Sequence, residues 1–106
     1  MVTRFDVFLV NLDAVPSPDA RNTRPGVIVS PDELNNNLNT VIIAPLASTN
    51  VKYPTRVPVD FLNSERYIVL DQIRTVDKSR LVKKIGEIDV AFRRAVVDRL
   101  SELFAE

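Results

Sequence analysis

All seven prolines of this 106-residue chain fall within its first 58 residues, at positions 16, 18, 25, 31, 45, 54 and 58. Proline lacks the backbone N–H and locks φ, so the first half cannot carry a long helix and must be built from short strands and turns. FDVFLVNL (5–12) reads as a strand, and the polar stretch 13–24 as a loop near the upper length that compact domains keep without a functional reason. PGVIVS (25–30) is a short β-branched strand, and PDELNNNL (31–38) starts a helical turn at Pro31 that its asparagines stop. TVIIAPL (40–46), the most apolar run, predicts a central strand terminated by Pro45, with a second polar loop over 47–54. TRVPVD (55–60) alternates with period two, RYIVL (66–70) is apolar enough to be buried, and it runs without a turn signal into DQIRTV (71–76). RLVKKIGEI (80–88) predicts the last strand.

The proline-free end changes period. Asp89 is a good N-cap, and the sequence after it sets Phe92, Val96, Leu100, Leu103 and Phe104 on one helical stripe, with Arg93, Arg94 and Asp98 largely off it. Six or seven short strands and one C-terminal helix predict a single domain over 1–106. Its class is mostly β, a small twisted antiparallel sheet closing toward a barrel.

The absent residue types narrow the chemistry. There is no cysteine and no histidine, which excludes disulfides, thiolate nucleophiles, Ser-His-Asp triads and imidazole acid–base catalysis. Asp, Glu, Arg, Lys, Ser, Thr, Tyr and backbone groups remain. Fourteen basic and fourteen acidic residues cancel, so no global basic field marks a nucleic-acid binder. Charge is nevertheless uneven: 74–84 holds five basic residues and one acidic, a run whose plain interpretation is a solvated face. No apolar stretch reaches membrane-spanning length and MVTRFDVF has no signal-peptide layout, so the expected location is cytoplasmic.

Three stretches go further: the N-terminal strand and loop ending in TRPGVIVS, the run VIIAPLASTNVKYPTRV, and IVLDQIRTVDKSRLVKKIGEID. Their order and spacing resemble the MazF/PemK toxins of bacterial toxin–antitoxin pairs, most specifically in the D-Q-x-R-T block at Asp71–Thr75 followed by Asp77, Lys78 and Arg80. The resemblance implies an SH3-like barrel with a C-terminal helix, acting as a homodimer. It implies cleavage of single-stranded RNA, including mRNA, without metal or cofactor, through a 2′,3′-cyclic phosphate. It also implies a cognate antitoxin whose disordered acidic tail covers the RNA site.

Such cleavage needs an acceptor for the 2′-proton, positive charge for the phosphorane, and a donor to the leaving oxygen. The resemblance carries the catalytic arginine of the family's R-P motif onto Arg24, whose forked cation suits a phosphate; a plain strand-start arginine tied to a carboxylate is the other interpretation. The family's Thr or Thr/Ser pair falls on Ala47 and Ser48, so this chain lacks the first hydroxyl. Ser48, or Thr49 after a small loop shift, is left to hydrogen-bond the phosphate or the 2′-OH. Asp71 is the base candidate if burial raises its pKa; alternatively Asp71, Gln72 and Arg74 form a polar network that fixes the barrel. Thr23, Thr49, Lys52, Arg56, Gln72, Arg74 and Lys78 are the expected RNA contacts. Gly26, inside a strand, either admits a close approach or leaves a small gap. Two other functions stay open: a gyrase-binding protein of CcdB type on the same barrel, against which the Trp-free ending SELFAE speaks, and a catalytically impaired relative lacking the Ala47 hydroxyl.

Overall fold

The computed structural model describes residues 1–13, 22–48 and 55–105. The strands are β1 (Asp6–Asn11), β2 (Thr23–Ile28), β3 (Thr40–Ala47), β4 (Arg56–Phe61), β5 (Ser64–Val69), β6 (Arg74–Asp77) and β7 (Leu81–Glu87). Among the described residues the α-helices are α1 (Asp32–Asn37) and α2 (Val90–Phe104). The strands form one antiparallel sheet in the order β4-β5-β3-β2-β1-β7, with β6 branching onto β3.

Alternation along β3 separates two apolar layers. Ile42, Ala44 and Leu46 belong to the main core inside the curl, while Val41 and Ile43 join Val10, Ile28 and Val76 in a smaller cluster on the outer face. The sheet curls because β7 slips twice against β1: Val7 and Phe8 oppose Gly86 and Lys84, then Leu9 and Val10 oppose Lys83 and Leu81. Each extra residue is a bulge that adds twist. The curl brings the two end strands together without a hydrogen-bonded ladder, and the Phe61 ring of β4 lies against Gly86 of β7. A Cβ at Gly86 would stand 2.9 Å from two atoms of that ring. α2 covers the core through fully buried Val96 and partly buried Phe92, Val97 and Leu100.

Most elements appear where the sequence places them, and the differences have local causes. β3 runs through Pro45, because between Ile43 and Leu46 it changes neighbours from β6 to β5; the missing N–H falls at that break. The run 66–76 is not continuous: a one-turn 3₁₀ helix, Leu70–Gln72, divides β5 from β6. Asp89 caps α2 by accepting from Ala91 N at 3.1 Å. Phe104, expected on the buried stripe, is exposed at the C-terminal end of α2, whereas Arg93, expected off it, is half-buried. Its guanidinium lies 5.2 Å from the Phe5 ring centre, and its Nε donates to Ile88 O at 2.8 Å.

The basic run 74–84 does not form one patch. Lys78 donates to the carbonyl of Asn35 at α1, and Arg80 grips the carbonyls of Asn11 and Asp13 beyond β1. Lys84 pairs with buried Asp6 at 3.1 Å and with Glu87 at 3.1 Å. Only Arg74 turns toward the groove described next.

Candidate active site

A groove of about 650 Å³ opens beside the outer face of the sheet. Its floor is apolar, formed by Val10, Gly26, Ile43 and Pro45, and its rim carries Arg24, Ser48, Arg66, Gln72 and Arg74. The rim is assembled from distant parts of the chain. Arg24 comes from β2, Ser48 follows β3, Arg66 lies on β5, Gln72 ends the 3₁₀ turn and Arg74 opens β6. Leu46 pairs with Ile68 and Ala47 with Tyr67, so one further antiparallel step sets Ser48 opposite Arg66.

The electrostatics are one-sided. No carboxylate among the described residues lines the groove, and none of Arg24, Arg66 and Arg74 forms an ion pair among the described residues. The one hydrogen bond of the Arg24 guanidinium there is from Nη1 to the Thr23 carbonyl at 3.1 Å, so its fork is not tied to an acid. Three guanidinium groups around an apolar floor make a site for a polyanion that also carries flat or apolar surface.

The PemK-like, MazF-like toxin family of type II toxin–antitoxin systems matches residues 3–104. The chain belongs to this family. It is 36% identical over 91 residues to the endoribonuclease MazF of Staphylococcus epidermidis, covering 80% of this chain and 76% of that protein. Two solved structures share the fold. An endoribonuclease from a mycobacterial species, in complex with its cognate antitoxin, superposes with a TM-score of 0.82 at 23% identity, over 96% of this chain and 93% of that one. The Mycobacterium tuberculosis toxin MazF-mt6 gives 0.77 at 24% identity, over 93% and 95%.

The structure of this MazF-like toxin brings together Arg24, Ser48, Gln72 and Arg74 of the residues singled out from the sequence, and leaves Asp71 out. Asp71 precedes the groove-lining Gln72 in the 3₁₀ turn, yet its carboxylate accepts from Thr55 Oγ1 at 3.0 Å and lies 3.6 Å from Arg56 Nε. Partial desolvation, the largest single influence, pushes its pKa up. The Thr55 hydroxyl, the residue's own backbone N–H and the Arg56 charge together outweigh this and hold it below the usual carboxylate range. The raised pKa expected of a general base is therefore absent, and the carboxylate stands outside the groove. The expected Asp71–Gln72–Arg74 network does not form either, since the turn sends Asp71 toward β4 while Gln72 and Arg74 face the groove.

Two expected RNA contacts have other partners. Arg56 is paired with Asp71, and Lys78 is held by α1; neither lines the groove. Thr23 does not line the groove; its carbonyl accepts from Arg24 Nη1. Thr49 and Lys52 lie outside the described residues. Gly26 resolves into a floor position of close approach, where a Cβ would stand 3.2 Å from Val10 Cγ2.

Arg66 went unmarked in the sequence. Its signal was there, a charge next to the apolar run Tyr67–Val69 of β5, but only the β3–β5 register connects it with Ser48.

Proposed function

We propose that this protein is the endoribonuclease toxin of a type II toxin–antitoxin system, a single domain over 1–106, and that it cuts single-stranded RNA in the arginine-rimmed groove. The observation that carries this is a groove with three unpaired arginines, no carboxylate among the described residues, and a serine hydroxyl on its rim. That is a site for phosphodiesters. In the reaction the 2′-oxygen attacks the adjacent phosphorus, the P–O5′ bond breaks, and the products are a 2′,3′-cyclic phosphate and a 5′-hydroxyl. Arg24 takes the charge that develops on the phosphorane oxygens. Ser48 donates to a non-bridging oxygen or orients the 2′-OH. Asp71, ionised and bound by Thr55 and Arg56, moves no proton; solvent accepts the 2′-proton and supplies one to the departing 5′-oxygen, and the acceleration is electrostatic and geometric.

The toxin acts in the cytoplasm as a homodimer, and an acidic, initially disordered antitoxin segment competes with RNA for the cationic groove. The test is to incubate the purified protein with a long RNA in EDTA and map the ends. Discrete cuts with 5′-hydroxyl ends are expected. Intact RNA, or cuts that appear only when divalent metal is restored, overturns the proposal.

A further inference from the structure

We infer that Arg66 holds a phosphate flanking the scissile one, so that the groove grips at least two successive phosphates of a single RNA strand. The inference rests on the groove being the RNA site and extends it to a residue outside the D-Q-x-R-T block. Four observations carry it. Arg66 sits on β5 one antiparallel step from pairing with Tyr67 opposite Ala47, which puts it across from Ser48. It is half-buried and lines the groove with no ion pair among the described residues. A half-desolvated guanidinium left unpaired costs free energy that an anionic ligand relieves. Arg24, on β2, approaches the same groove from the other side of β3. With β3 between them, the two cations flank Ser48 instead of converging from one strand. A cavity of about 650 Å³ lies in the range that encloses whole small ligands, far more than one phosphate group occupies. Two separated cations in a space of that size fit two anions of one polymer.

Binding is measured first, with a non-cleavable 2′-O-methyl RNA 12-mer of mixed sequence. Arg66→Gln is expected to weaken binding about tenfold, a loss of about 1.4 kcal/mol. It should also lower the slope of log affinity against log salt by about 0.7, the value of one phosphate contact on a single strand. Arg66→Lys keeps that slope, because the charge remains. An unchanged affinity and slope in Arg66→Gln overturns the assignment. So does equal weakening in both variants with the slope intact, which marks a structural role. A wild type that binds with the expected salt slope but cuts no RNA defeats the endoribonuclease proposal and leaves Arg66 assigned only to a phosphate of the bound strand. On a short RNA spanning a mapped cut, a neutral methylphosphonate replaces each flanking phosphate in turn. At one of the two positions it should raise wild-type KM about tenfold with kcat held, and have no further effect in Arg66→Gln. Equal losses in both proteins overturn the two-phosphate grip.

Discussion

Gly86→Ala tests how the barrel is closed. The added Cβ would meet Cε1 and Cζ of Phe61 at 2.9 Å, where ordinary van der Waals contact begins at 3.4 Å, so the ring or β7 must yield by about half an ångström. Phe61 has little freedom to do so, being 7% exposed within the main core. Overpacking of this kind costs about 1–3 kcal/mol, which in a domain of this size lowers Tm by roughly 4–12 °C. The assay is thermal and urea unfolding of the wild type, Gly86→Ala, Phe61→Leu and the double variant. Phe61→Leu alone is destabilising because it removes buried ring volume. If the clash is the cause, the double variant is more stable than the sum of the single effects by at least about 1 kcal/mol. Additivity within about 0.5 kcal/mol would refute the closure by Phe61 on Gly86. RNA cleavage well below both transitions should be unchanged, because neither residue lines the groove.

Arg24→Ala should lower kcat/KM roughly 10²–10⁴-fold, by analogy with the loss of an oxyanion donor. Arg24→Lys should fail nearly as badly, since an ammonium does not reproduce the fork; near wild-type rates in either variant contradict the assignment. Ser48→Ala should slow cleavage while Ser48→Thr preserves it, the added methyl stiffening χ1; a silent Ser48→Ala removes the hydroxyl from the mechanism. The pKa of Asp71 is lowered, so the carboxylate stays ionised above the ordinary carboxylate range. The pH–rate profile between about pH 5 and 8 should then be the same in Asp71→Asn as in the wild type; an inflection abolished by the substitution would restore Asp71 as a base. Asp71 and Asp77 both have lowered pKa values, Asp77 chiefly through the backbone N–H of Ser79. Their stabilisation is present above the unfolded-state pKa and lost as pH falls through the folded one. Asp77→Asn should therefore flatten the fall in Tm below about pH 4.

The sequence by itself determined most of the element list, because prolines, β-branched alternation and helix caps act through neighbouring residues, but not the 3₁₀ break at Leu70–Gln72 or the passage of β3 through Pro45. The proline-free end became α2 under its Asp89 cap, and TRVPVD became β4 with Val57, Val59 and Phe61 turned inward. The motif blocks also named Arg24, Ser48, Gln72 and Arg74, four residues that line one groove, since resemblance transmits positions even where the local pattern says nothing about contact. Tertiary structure alone decided which charges are free. Asp71 and Gln72 are adjacent in sequence, yet a one-turn helix sends one to Thr55 and leaves the other on the rim. Lys78 and Arg80 belong to the same basic run as Arg74, but they are consumed by backbone carbonyls of α1 and of Asn11 and Asp13 at and just past the end of β1. Arg66 stands opposite Ser48 only because β5 pairs with β3 in one particular register. Strand pairing joins residues far apart in the chain, and a slip of one residue would turn every side chain to the other face, so the groove's composition is a property of the register.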